Sequence, residues 1–132
     1  MLLILVPALW ACLFDLIVTI INQPNAYWKG NLQMVREGNP LIGVLMKHHI
    51  LGILIFVFLW LLTIGIIGYY LPSKLLRMFS LFVLVIHTYG ASSWLAESFG
   101  FWPVVNFVLL NSILFIAIED IYKHEYLTIR LE

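Results

Sequence analysis

The chain has 132 residues, of which 63% are hydrophobic and 11% charged, and its formal net charge is zero. A soluble domain carries about 25% charged residues, so this composition excludes an ordinary soluble domain, and the balanced charge offers no footing for nucleic acid. The single cysteine, Cys12, excludes an intrachain disulfide and a Cys-rich metal cage.

A bilayer-spanning helix needs about 20 mostly apolar residues. The first such element is residues 2–21. No Lys or Arg precedes its apolar run and no small-x-small site follows, so it reads as a retained helix rather than a signal peptide. Its polar residues Cys12, Asp15, Thr19 and Asn22 fall three, four and three apart, on one helical face. Asp15 lies roughly 10 Å from the end of that helix at 1.5 Å per residue.

Residues 23–39 form a long connection holding Tyr27, Trp28, Leu32, Met34 and Val35, which reads as an interfacial amphipathic lid. It ends in Glu37-Gly38-Asn39-Pro40, where Asn39 is a helix N-cap and Pro40 a first helical residue. The second helix is expected over 40–70, with His48 and His49 roughly 12–14 Å from its start and Gly65 and Gly68 as close-packing positions. Leu71-Pro72-Ser73 breaks the chain, and the third helix follows over 74–98. That helix carries His87, Gly90, Ala91, Ser92, Trp94 and Glu97, with His87 roughly 15 Å from the interface near Glu97. Gly100 ends it, and the fourth helix runs over 101–122 with Asn106 and Asn111 near the level of His87. The run Glu119, Asp120, Lys123, His124 and Glu125 reads as a solvated helix end.

The expected fold is all-α: a single integral membrane domain over 1–132, a four-helix bundle with antiparallel neighbours and both termini on one side. Tyr27, Trp28, Trp94, Phe99, Phe101 and Trp102 mark one interface, side A; Tyr69, Tyr70, Tyr122 and Tyr126 mark the other, side B. Lys74, Arg77, Lys123 and Arg130 fall on side B, and Lys29, Arg36 and Lys47 on side A. This slight bias favours side B, and so both termini, as cytoplasmic in a prokaryotic cytoplasmic membrane.

Polar residues inside a membrane are costly and face the bundle interior. Here they gather in the side-A half. Asp15, Glu37, one of His48 or His49, His87, and Asn106 or Asn111 are expected to converge in one layer, with Thr19, Asn22, Asn39 and Ser92 lining the same pocket. Two histidines and a carboxylate suit a divalent metal, zinc or iron, with Asp15, His87 and His48 or His49 as ligands. Glu37 would then be a fourth ligand or a base, and Glu37 and His87 the catalytic candidates of a membrane-embedded hydrolase. No short spacing such as HExxH supports this, and a structural polar core is the plain alternative. Haem between His49 and His87, or a quinone, is another candidate. An accessory subunit or homo-oligomer is a third, since the chain is small. The G-A-S of residues 90–92 is similar to the G-x-S of intramembrane rhomboid proteases, but Ser93 stands where a glycine is expected and His87 is off the face of Ser92.

Asp15 in LFDLIVT, followed by E-x-N-P at Glu37 to Pro40, resembles a pattern of small four-helix bacterial and archaeal membrane proteins of unknown function. The resemblance covers roughly the first 45 residues. It implies that Asp15, Thr19, Glu37 and Asn39 act as a unit, and it implies no activity.

Overall fold

The computed structural model describes residues 2–129, with side chains as far as Lys123. The readings of His124, Glu125, Tyr126 and Arg130 therefore lie outside the described side chains. The described residues are predominantly helical, with no strand among them. A 3-10 turn at Leu2–Leu5 leads into α1 (Val6–Ile21), followed by α2 (Asn25–Trp28), a 3-10 turn at Leu32–Met34, α3 (Pro40–His48), α4 (Gly52–Tyr70), α5 (Ser73–Phe99) and α6 (Phe101–Ile129). Four stretches, Leu2–Ile21, Gly52–Tyr70, Ser73–Phe99 and Phe101–Lys123, are long and apolar enough to cross a membrane.

The expected helix over 40–70 is a correction: it is two helices. Asn39 caps α3 as read, its Oδ1 accepting from the Leu41 N–H at 3.0 Å. The chain then turns extended at His49 and restarts at Gly52. Two local features hold the break. A Cβ at position 52 would lie 2.4 Å from the Leu45 carbonyl oxygen, so only glycine lets α4 start this close to the end of α3. Beneath the junction, the fully buried Tyr27 hydroxyl donates to the Ile50 carbonyl at 3.1 Å. That supplies a partner to an acceptor freed from the helical ladder.

Three apolar clusters hold the helices. Ile4, Leu5, Ala8, Ile64, Leu76, Val83 and Tyr122 form the first, where Ser80 Oγ also donates to the Ile4 carbonyl at 2.6 Å. Cys12, Tyr27, Met46, Ile53 and Val57 form the second, and Val18, Ala91, Leu95 and Phe107 the third. α1 packs chiefly on α5, and α5 on α6, whereas α4 touches α1 and α5 only lightly. Gly68 is a close-packing position, pressed on Leu5, while Gly65 faces open space. The backbone at Gly100 has φ +82°, a left-handed conformation that suits glycine and stops α5 before α6 begins.

The α1–α2–α3 connection folds back over one end. Gln23 bonds reciprocally with the Arg36 backbone, its Nε2 donating to the carbonyl at 2.6 Å and its Oε1 accepting from the N–H at 2.9 Å. This clamp holds residues 23–39 as a strap whose end, Val35 to Asn39, lines the mouth of the space between α4 and the α1–α5 pair.

Candidate functional site: an Asp-His-Trp cleft

That space is a cleft of about 1030 Å³ lined by α1, α3, α4, α5 and the strap. α1 contributes Cys12, Asp15 and Thr19 from its single polar face; α5 contributes His87, Gly90, Trp94 and Glu97.

Asp15 and His87 meet in the cleft wall. His87 Nδ1 lies 2.9 Å from Asp15 Oδ2, and Trp60 Nε1 donates to His87 Nε2 at 2.9 Å. An indole nitrogen only donates. His87 Nε2 must therefore be the unprotonated acceptor, and Nδ1 carries the hydrogen that it donates to Asp15. A neutral imidazole satisfies both partners. The three groups form one chain of hydrogen bonds from α4 through α5 to α1. Asp15 Oδ1 has no hydrogen-bond partner among the described residues.

Gly90 makes this arrangement possible. It sits one turn beyond His87 on α5, and a Cβ there would lie 2.8 Å and 2.9 Å from the two oxygens of Asp15. The carboxylate thus rests against bare backbone.

Glu37 enters from the strap and lines the same cleft as Asp15. Its Oε1 accepts from the Asn39 N–H at 2.7 Å. Burial pushes the Glu37 carboxyl above its ordinary range, and the Asp15 charge adds to that, against the pull of the Asn39 and Gly38 N–H groups. At the rim, Arg36 pairs with Glu97 and lies over the Trp94 ring, 5.5 Å from its centroid. The strap is thereby latched to α5.

Of the residues singled out in the sequence, Asp15, Thr19, Glu37, Asn39 and His87 line this cleft. Others lie elsewhere. His48 and His49 are exposed at the α3–α4 break and do not line it, because the break turns them away from the continuous helix that would have carried them to the depth of His87. Neither the two-histidine metal set nor the His49–His87 haem pair is brought together. Among the described residues, no three His, Cys, Asp or Glu side chains cluster as a metal-binding group. Asn22 serves the end of α1, donating to the Val18 carbonyl at 2.7 Å and accepting from Ser98. Asn106 is exposed. Asn111 and Ser92 line a separate α5–α6 crevice of about 530 Å³, where Asn111 Nδ2 donates to Thr88 Oγ1 at 3.0 Å.

Sequence reasoning missed Trp60 and the Arg36 latch. Trp60 had a signal: an indole N–H in the otherwise apolar run GILIFVFLWLL needs an acceptor. Arg36 had none, since its partner Glu97 lies 61 residues away.

Compared with protein families, with curated protein sequences and with solved structures, the chain finds no match.

Proposed function

We propose that the chain is an integral membrane protein of a prokaryotic cytoplasmic membrane, and that its cleft binds a small ligand at Asp15 and His87. In this reading the four spans form a bundle with antiparallel neighbours and both termini on the cytoplasmic side. The short links at Leu71–Pro72 and Gly100 and the slight Lys/Arg excess on side B support that topology. The observation that carries the ligand reading is the Asp15–His87–Trp60 chain in the wall of a cleft of about 1030 Å³. Ionisable groups at membrane depth are expensive and mark functional sites. Small-molecule sites are concave, mostly apolar and carry a few polar groups that fix orientation. This cleft has that make-up, with Phe56, Trp60 and Val57 beside the polar groups.

The reading is one of binding rather than turnover. Both ring nitrogens of His87 are engaged, which leaves neither free to take a proton or to ligate a metal. Zinc or iron at this site would require Trp60 to give up Nε2.

Cys12, the only cysteine, is buried, whereas Ser93 is exposed and lines the cleft, so Ser93→Cys in a Cys12→Ala background reports on it. In untagged protein in mild detergent, methyl methanethiosulfonate should modify the thiol of this variant far faster than the chain unfolds. Modification only at the unfolding rate would mean a closed cleft and would defeat the proposal. Elemental content and a visible spectrum of the same sample add a second check. A stoichiometric metal or a Soret band would replace this reading with a metal or haem site.

A further inference from the structure

We infer that the ligand is an organic cation, an ammonium-like group on an apolar body, seated at Asp15 with the aromatic wall around it. The inference rests on the binding reading above and adds the charge and class of the ligand.

Charge comes first. The cleft lining holds three carboxylates, Asp15, Glu37 and Glu97, against one permanent cation, Arg36. Arg36 is already paired with Glu97. Asp15 and Glu37 therefore share the cleft with no cation between them, and Asp15 Oδ1 has no partner among the described residues. The bond that His87 makes to Asp15 is met by its neutral form, the form whose Nε2 can accept from Trp60. An anion entering here meets two carboxylates; a cation supplies what they lack.

Class comes second. A metal ion wants several converging donors, and among the described residues no three His, Cys, Asp or Glu side chains form such a group. The walls are aromatic instead: Trp60, Phe56, Tyr89 and Trp94. Aromatic faces attract organic cations through the ring quadrupole. The chain displays this use of the cleft itself, because the Arg36 guanidinium rests over Trp94 while bonded to a carboxylate. A volume of about 1030 Å³ leaves room for an apolar body behind the charged group.

The test again reads the thiol of Ser93→Cys in the Cys12→Ala background. Its rates with the cationic 2-(trimethylammonium)ethyl and the anionic 2-sulfonatoethyl methanethiosulfonates are each divided by the rate of 2-mercaptoethanol in the same buffer. The corrected cation-to-anion ratio should be about tenfold or more, as one nearby charge of low screening gives. Glu37→Gln, in the strap, should lower it several-fold, and Asp15→Asn should lower it further. Benzyltrimethylammonium should slow labelling by the neutral methyl reagent, whereas its neutral isostere neopentylbenzene should not. A ratio near one, with neutral labelling intact, would overturn the cation while leaving the binding cleft standing. Protection by manganese(II) and not by the ammonium would overturn the organic class. No labelling by any reagent would remove both readings.

Discussion

Gly90→Ala puts a methyl group where the Asp15 carboxylate rests. The new Cβ would lie 2.8 Å from Oδ2, about 0.6 Å inside ordinary contact, which begins near 3.4 Å. Asp15 is the far end of a short side chain, and its escape is limited because Oδ2 is bonded to His87 Nδ1 at 2.9 Å. Moving away by that amount breaks the bond or strains it. A hydrogen bond to a charged group contributes about 1.5–3 kcal/mol, and the two side chains are only 17% and 21% exposed, so water screens it little. Alanine returns up to ~1 kcal/mol of helix propensity. The expected net loss is about 0.5–2 kcal/mol, read by circular dichroism during reversible unfolding in mixed micelles. Gly65→Ala is the control: its Cβ meets nothing within 4 Å, so it should be neutral or stabilising by up to ~1 kcal/mol. In an Asp15→Ala background, Gly90→Ala should lose its penalty. If Gly90→Ala behaves like Gly65→Ala, the carboxylate is not held against α5 and the geometry of the site is wrong.

Three further outcomes follow from named contacts. Trp60→Phe keeps the apolar body but leaves His87 Nε2 without its donor, which should cost about 1–3 kcal/mol; unchanged stability together with an unchanged His87 imidazole NMR signal would contradict the tautomer assigned above. Glu37→Gln should stabilise the chain near pH 8 and do little near pH 4. The folded carboxyl is raised above its ordinary value of 4.5, so its stability is full below that value and is lost as pH rises through the folded pKa. Equal melting temperatures for the two proteins across that range would show that Glu37 is not buried against Asp15. Gly52→Ala drives a Cβ into the Leu45 carbonyl at 2.4 Å. Backbone cannot step aside cheaply, so a loss of about 3 kcal/mol or more is expected, with new proteolytic cleavage near residues 49–51; a wild-type melting curve would show that the break does not depend on glycine.

The helical class and four candidate spans were legible because they depend on local composition: runs of about 20 apolar residues, with Pro and Gly at the ends, specify such helices on their own. The face of α1 that carries Cys12, Asp15 and Thr19 was legible for a similar reason, since a period of 3.6 residues is written directly in the spacing. The break after His48 was not. No proline marks it. It depends on Gly52 meeting Leu45 and on Tyr27 reaching the junction from a preceding connection, which are contacts across space. That break removed both adjacent histidines from the cleft.

The partners of His87 were decided in the same way. Its depth could be counted along α5, but which groups face it depends on how three helices rotate about their axes. Spacing within each helix leaves that rotation open, and only packing settles it: Gly90 admits Asp15, and α4 turns Trp60 inward. The sequence by itself placed an acid and a histidine inside apolar helices at depths that allow them to meet. The tertiary structure decided that the third member is an indole rather than a second imidazole, because a side chain's neighbours across helices are set by packing and not by its position in the chain.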